Sequence, residues 1–316
     1  MIDISIQNFE AELINASLQQ PVLLDIWAPW CGPCKSLGPM LEKLEVAYAG
    51  RFKLAKLNSD DQPDIAGQLS QMFGVRSIPF CVMFKAGQPV DGFVGALPEA
   101  QIREFLDKHV PSPEEVAADE DVQAAEELLA DGDTDSAIER LQEALALNPA
   151  NDTARYDYLR ALLLAGRVAE ARSAIEPALG RVIPDARFSA CELWLQACDV
   201  AAAAARTPAQ LQAAIAANKR DFEARHELAQ LHFAGQRYTE AMDELLEIIM
   251  RDKAWNNELA RRSFVAILEV MAKPAAAAKP AAAAVKGTLE LAGKITTAPS
   301  DPVIDAYRRK LSMALF

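Results

Sequence analysis

Two cysteines separated by Gly-Pro, in the stretch WCGPCK (30–35), are the residues best suited to covalent chemistry. Cys31 and Cys34 are three positions apart, about one helical turn, so their sulfurs can meet. Only a thiolate attacks a disulfide, and a free cysteine, with a pKa of about 8.5, is mostly protonated at neutral pH. A helix N-terminus stabilises an anion through its unpaired amides. We therefore predict that Cys31 attacks from the start of a helix and that Cys34 resolves the mixed disulfide.

A zinc site and an inert structural disulfide are the alternatives for such a pair. Zinc usually takes four ligands, and the sequence has no second CxxC or HxxxH pair. Structural disulfides are rare in reducing compartments. The chain has five cysteines, an odd number, and Cys81, Cys191 and Cys198 are predicted to be buried core thiols. The pattern favours a redox pair that needs neither metal nor cofactor.

Three further residues are placed to assist this chemistry. Asp25 lies within the apolar segment VLLDIW (22–27), where burial would raise the pKa of its carboxyl and let it exchange a proton with the resolving thiol. A structural carboxylate held by hydrogen bonds is the alternative. Lys56, in the next predicted strand, is its candidate charge partner. Pro79 follows Ile78 directly before a strand, where a cis peptide bond would be informative; an ordinary strand-start proline is the alternative.

The elements around these residues alternate between strand and helix patterns. Apolar runs and helical spacing predict a strand at 22–27, a helix at 35–50, a strand at 52–58, a helix at 63–74, two strands within 80–95 and a helix at 98–110. Strands that alternate with helices and end in a hairpin indicate an α/β domain with a mixed sheet. We assign this domain to residues 1–110.

The rest of the chain has a different composition, with few strand signals and abundant alanine. An acidic linker is predicted at 111–122 and helical repeats at 123–271. The stretch DGDTDSAIERLQEAL (131–145) recurs 34 residues later as AGRVAEARSAIEPAL (165–179), and AGQRYTEAMDELLEI (234–248) is a third copy. A 34-residue helix–turn–helix period is typical of tetratricopeptide repeats, which bury their apolar faces only by stacking. We therefore predict an all-α repeat domain.

The chain ends in an Ala/Pro-rich spacer, 272–300, and an amphipathic tail, 301–316. Two prolines interrupt the alanine runs, which predicts a semi-flexible spacer. Asp301 and Pro302 predict the start of a tail helix. One face of this helix carries Ile304, Tyr307, Leu311 and Leu315. Its basic residues also permit a helix that lies on a membrane surface, which is the alternative function for this segment.

The formal net charge of −13 is unevenly distributed. Residues 1–110 carry 9 basic and 13 acidic side chains, residues 111–270 carry 16 and 29, and residues 271–316 carry 7 and 3. An acidic body argues against nucleic-acid binding. No apolar run is long enough to span a membrane, and the N-terminus lacks the pattern of a secretory signal. We therefore expect a cytoplasmic protein without nucleic-acid or membrane partners.

The first 110 residues resemble the thioredoxin family. The resemblance consists of the WCGPCK motif together with Asp25, Lys56, the Ile78–Pro79 pair and Gly95. It implies the thioredoxin fold, a cis Pro79 beside the dithiol, and a substrate-binding surface made of Trp30, Gly32, Pro33, Ile78 and Pro79. Phe80 departs from the family, in which a smaller polar residue is common after the proline.

The whole chain is similar to the chaperedoxin family, in which a thioredoxin domain precedes tetratricopeptide-like repeats and a YRRxL…LF tail. The resemblance implies a holdase that binds unfolded or oxidised client proteins and passes them to the GroEL/GroES chaperonin and the DnaK system. Because both cysteines are present, the chain resembles the redox-active branch of that family, and thioredoxin reductase is a candidate partner. In that family the tail docks on the chaperonin, which assigns docking to Tyr307, Arg308, Arg309, Leu311, Leu315 and Phe316.

Two other functions fit the same sequence. In one, the protein is a general disulfide reductase that its repeats direct to a specific partner. In the other, it is a scaffold that joins proteins through its repeats, with redox chemistry incidental. The number of proteins caught on Cys31 in a trapping experiment would separate these functions, because a holdase has many clients and a directed reductase has one.

Overall fold

A computed structural model describes residues 2–180, 185–203, 205–272 and 301–315. The chain divides into two compact units, residues 1–118 and 119–316. The predicted spacer lies outside the described residues except for its first position, and so does Phe316.

The first unit is built on a five-stranded mixed sheet. Its strands are β1 (Ile2–Asp3), β2 (Val22–Trp27), β3 (Lys53–Asn58), β4 (Phe80–Lys85) and β5 (Gln88–Val94). They lie in the order β1-β3-β2-β4-β5, in which β1, β3 and β2 are parallel and β4 and β5 are antiparallel to their neighbours. This is the mixed α/β sheet that the sequence predicts, with the addition of β1.

Helices cover both faces of this sheet because its strands carry apolar side chains on both sides. The α-helices are α1 (Gly32–Ala47), α2 (Pro63–Phe73) and α3 (Glu99–His109), and a short π-helix (Glu10–Asn15) continues into a 3-10 turn (Ala16–Leu18) before β2. Leu37 and Leu41 of α1 pack with Leu23 of β2 in one core, which also includes α3. Leu69 of α2 packs with Leu24 in a second core on the opposite face. Burial on both faces explains why β2 and β4 appear in the sequence as continuous apolar runs.

Helices make up the rest of the described chain, in agreement with the predicted all-α repeat region. Helix α4 (Pro113–Asp131) includes most of the segment predicted as the acidic linker. The others are α5 (Thr134–Leu147), α6 (Asp152–Leu164), α7 (Val168–Ile175), α8 (Ala186–Ala203), α9 (Pro208–Ala217), α10 (Phe222–Ala234), α11 (Tyr238–Arg251), α12 (Trp255–Met271) and α13 (Pro302–Leu315).

The residues that recur in the sequence have repeated structural roles. Three alanines at this period, Ala137 of α5, Ala171 of α7 and Ala241 of α11, are fully buried. Their small side chains let neighbouring helices approach closely. Gly132 and Gly166 follow α4 and α6 with φ angles of 85° and 73°. This left-handed conformation favours glycine and ends a helix. The period therefore reflects helix packing and helix termination.

Helix α13 packs against α11 and α12 within the second unit. The Asp301 carboxylate accepts a hydrogen bond from the Val303 amide at 2.8 Å and caps the helix. Ile304 and Tyr307 are buried. The Tyr307 hydroxyl donates to the Asp243 carboxylate of α11 at 2.9 Å. Tyr307 therefore holds the tail helix on the repeats, whereas the side chains of Arg308 and Arg309, and Met313 further along the helix, are exposed.

Candidate active site

The two cysteines lie at the N-terminus of α1. Cys31 is the N-cap residue, and its Sγ accepts a hydrogen bond from the Cys34 amide at 3.2 Å. Pro33 lies in the first turn of α1, where backbone N–H groups have no acceptor within the helix, so the N–H that proline lacks is not needed there. A disulfide joins Cys31 to Cys34, and their Cα atoms are 5.3 Å apart. The structure thus shows the oxidised pair, with the Cys31 sulfur at the helix end where amides stabilise a thiolate.

An exposed rim surrounds the disulfide. Cys31 and Cys34 are only 4% and 5% exposed, so a substrate that approaches the pair meets only a small part of these residues. Trp30 is 70% exposed, and its indole Nε1 donates to the Asp60 carboxylate at 3.1 Å, which fixes the ring over the neighbouring loop. Gly32 is also exposed. These surface residues leave room for a substrate backbone at the dithiol.

The loop before β4 forms the other side of the site. The Ile78–Pro79 peptide bond is cis, as the resemblance implies. The Pro79 carbonyl accepts the Gly95 amide at 2.8 Å, and Gly95 adopts a left-handed φ of 87°. Ile78 packs against the buried cluster that contains both cysteines. The two halves of the predicted substrate surface, 30–33 and 78–79, therefore meet at the disulfide.

Asp25 is buried within β2, on the sheet face that is covered by α1. Burial raises the pKa of its carboxyl to about 6, while the Lys56 charge and a hydrogen bond from Cys81 act in the opposite direction and Glu42 raises the pKa further. Lys56 Nζ forms an ion pair with Glu42 of α1 at 2.6 Å. The positive charge of Lys56 also acts electrostatically on the Asp25 carboxyl and lowers its pKa. A carboxyl with this pKa can take up or release a proton near neutral pH.

Sequence reasoning missed two residues beside Asp25. It did not assign Glu42, although Glu42 lies on α1 below the cysteines and pairs with Lys56. It placed Cys81 only in the core, where the structure indeed buries it completely. The strand register nevertheless pairs Cys81 with Asp25 across β2 and β4. Local patterns gave no signal for this pairing, because it depends on the register in which Ile26 of β2 lies opposite Phe80, the first residue of β4.

A cysteine pair that closes to a disulfide at an open helix end exchanges two electrons with other thiols and disulfides. The fold and the site therefore define a thiol-disulfide oxidoreductase. Comparison with known families agrees: a thioredoxin family model matches residues 1–108, and tetratricopeptide repeat models match residues 128–182 and 201–285. The chain belongs to the thioredoxin family and carries a tetratricopeptide-repeat region in addition.

The thioredoxins named next are each matched over about a third of this chain, a length similar to that of the thioredoxin family match at residues 1–108. Thioredoxin 2 of Chlorobaculum tepidum is 47% identical over 104 residues, which is 90% of that protein and 33% of this chain. Thioredoxin of Haemophilus influenzae is 43% identical over 110 residues, or 97% of that protein and 35% of this chain. Thioredoxin 1 of Nostoc is 41% identical over 102 residues, 90% of that protein. These relatives therefore inform the redox unit and leave the repeats to be interpreted from their own structure.

Proposed function

We propose that this protein is a redox-active chaperone of the chaperedoxin type that works in the cytoplasm. It holds unfolding proteins on its repeats, protects or reduces their cysteines through Cys31 and Cys34, and passes them to the GroEL/GroES chaperonin and to DnaK. The observation that carries the proposal is the presence, in one chain, of a complete thioredoxin site and a repeat unit with an open groove. A reductase alone needs only the first unit.

The groove lies between α8, α10 and α12 and has a volume of about 780 Å³. Its lining combines apolar groups, among them Val200, Ala203 and Trp255, with polar groups such as Glu227 and Gln230. Grooves between stacked helix pairs suit extended or helical peptide segments. A lining that mixes apolar and polar groups favours many weakly related sequences over one precise ligand.

At the dithiol, the reduced Cys31 thiolate attacks a sulfur of a client disulfide, and the client's other sulfur leaves as a thiolate that takes up a proton. Cys34 then attacks the Cys31 sulfur, so that the client thiol is released and the Cys31–Cys34 disulfide forms. Asp25 accepts the proton that Cys34 loses. With a client sulfenic acid the Cys31 thiolate attacks the client sulfur and water leaves, and with a glutathione adduct glutathione leaves as the thiolate; Cys34 then releases the client as before. We propose thioredoxin reductase as the donor that restores the dithiol.

Holding should depend on the groove and not on the thiols. We expect the full chain to suppress light scattering by a heat-unfolded model enzyme, and Cys31→Ser with Cys34→Ser to do so equally well. Ala203→Glu places a charge on the apolar part of the groove, and we expect roughly threefold more of this variant to be needed because a client segment bound there would bury that charge. The control is Ala202→Glu, the same change at an exposed neighbour that does not line the groove. If the unmodified chain leaves scattering unchanged, the protein is not a holdase.

The exposed face of α13 is the surface that we assign to chaperonin docking. Arg308, Arg309 and Met313 point away from the repeats, and Met313 is 73% exposed. Leu311 and Leu315 are half-buried at the edge of this face. Cations on such a face speed the encounter with an oppositely charged surface, and apolar side chains beside them stabilise the complex once it has formed. In this proposal Tyr307 contributes by holding the helix in place.

Reversing the charges on this face should weaken docking. We expect Arg308→Glu with Arg309→Glu to reduce chaperonin co-elution about tenfold, because attraction becomes repulsion at the rim of the interface. The matched control is Arg261→Glu with Arg262→Glu, which reverses two exposed cations on α12.

A vesicle assay separates docking from the membrane alternative. Among the described residues no helix is long and apolar enough to cross a membrane, so the alternative is a helix that lies on the surface. If the tail variant loses binding to anionic vesicles while chaperonin co-elution is unchanged, the docking proposal is wrong.

A further inference from the structure

Three side chains form a row across the middle of the sheet. The register places Asp25 of β2 opposite Lys56 of β3 on one side and opposite Cys81 of β4 on the other. Paired residues on adjacent strands point to the same face, here the face covered by α1 and α3. Lys56 is the charged neighbour and is already engaged by Glu42 of α1. Cys81 is the neutral neighbour, and the mechanism described above does not use it.

The Cys81 thiol is oriented toward the carboxylate. Its Sγ lies 3.8 Å from Oδ1 of Asp25, a distance at which the large sulfur atom donates a hydrogen bond. Both side chains are buried, with exposures of 0% and 1%, so both groups are shielded from bulk water. Burial and the adjacent Asp25 charge raise the pKa of the Cys81 thiol well above its ordinary value. Cys81 therefore keeps its proton and acts only as a donor.

We propose that Cys81 is a positioning residue for the dithiol reaction, whose thiol donates a hydrogen bond to Asp25 and holds that carboxyl in its ionised, proton-accepting form. The inference rests on the proton-transfer role proposed for Asp25. A hydrogen bond to a carboxylate favours the ionised form, whereas burial opposes it. The titratable groups that face Asp25 are Lys56, which favours ionisation, and Glu42, which disfavours it. Glu42 partly cancels the stabilisation that Lys56 gives to the ionised Asp25 carboxylate. The hydrogen bond from the neutral Cys81 thiol therefore makes a separate contribution to keeping Asp25 ionised.

The test compares variants of the full chain that keep or remove the donor. Cys81→Ala removes it, and Cys81→Ser replaces it with a hydroxyl of similar shape. Two quantities are measured from pH 4.5 to 9: reduction of a disulfide-linked model peptide, and the infrared carboxyl band of Asp25, assigned by its loss in Asp25→Asn. We expect Cys81→Ala to move both the acid limb of the rate profile and the carboxyl titration about one pH unit upward. Cys81→Ser should keep both at or below their original positions.

The controls separate a failure of this inference from a failure of the proposed role of Asp25. Cys191→Ala removes a buried thiol from α8 and should leave both profiles unchanged. In the Asp25→Asn background, adding Cys81→Ala should cause no further shift of the rate profile. If the carboxyl titration is the same in all Cys81 variants, or if Ser shifts it as Ala does, Cys81 is only a packing residue. If the carboxyl titration moves but the rate profile does not, the hydrogen bond from Cys81 to Asp25 is confirmed, but the proposed proton-transfer role of Asp25 is wrong.

Discussion

Cys34→Ser is expected to abolish turnover of disulfide substrates while leaving Cys31 able to form a covalent adduct. The Cys31 sulfur is at the helix end, where it accepts the Cys34 amide, and this backbone bond survives the substitution. Attack on a client disulfide therefore still occurs, but no second thiol is present to break the mixed disulfide. We expect insulin reduction to fall by at least about 10³-fold, since an external thiol must replace one held in place. The measurement is insulin turbidity together with gel analysis of adducts under non-reducing conditions.

The reciprocal variant gives the matched control. Cys31→Ser should lose turnover to the same extent but form no adduct, because Cys31 is the N-cap residue whose sulfur accepts a helix amide, whereas Cys34 lies inside the first turn of α1. Cys198→Ser, in α8, should behave like the unmodified chain. Equal adduct formation by Cys31→Ser and Cys34→Ser would contradict the assignment of attacking and resolving thiols.

The identities of the trapped proteins decide between the functions that share this site. Many unrelated unfolded or oxidised proteins on Cys31 are expected for a chaperone that reduces its clients. A single dominant partner would favour the alternative, a reductase that its repeats direct to one enzyme. If phenotypes of the cell remain intact when both thiols are removed, the repeats act as a scaffold and the redox activity is incidental.

Periodic and local signals in the sequence predict most of the fold. The apolar run at 22–27 coincides with β2, and Gln88–Val94 follows Phe80–Lys85 as the predicted hairpin. Recurring alanines predict the repeats because a buried helix crossing tolerates only a small side chain, as at Ala137. These features succeed because burial dictates residue type at short range.

Features that depend on distant partners are beyond the same reasoning. Strand β1 has only two residues, and it exists because Ile2 and Asp3 pair with β3 some fifty residues later. Cys81 appears as an ordinary apolar residue until the strand register places it opposite Asp25. Tyr307 appears as part of a docking face, but its hydroxyl finds Asp243 on α11. In each case a tertiary contact decides the role, and local patterns in the sequence do not reveal which contact forms.

The buried Asp25 carboxylate should destabilise the folded protein, because the burial that raises its pKa also disfavours its charged form. Its carboxyl has a pKa raised from 3.8 to about 6 in the folded protein, so the folded state binds its proton more tightly than the unfolded state does. Stability is then lost as pH rises from about 4 to about 6, and above this range the buried charge costs about 3 kcal/mol. Asp25→Asn removes the charge at every pH. Lys56 does not become unpaired, because Glu42 remains its partner.

We therefore expect Asp25→Asn to stabilise the oxidised first unit by up to about 3 kcal/mol at pH 7 and by little at pH 4. Amide exchange of β2, followed by mass spectrometry in the full chain at both pH values, measures the difference without separating the units. Glu104→Gln, at an exposed carboxylate of α3, should leave this exchange unchanged. The same Asp25 variant should reduce peptide disulfides more slowly at pH 7, because Cys34 loses its proton acceptor. A variant that is destabilised equally at both pH values would show that Asp25 is held by structural hydrogen bonds, and that its buried charge is not the dominant cost.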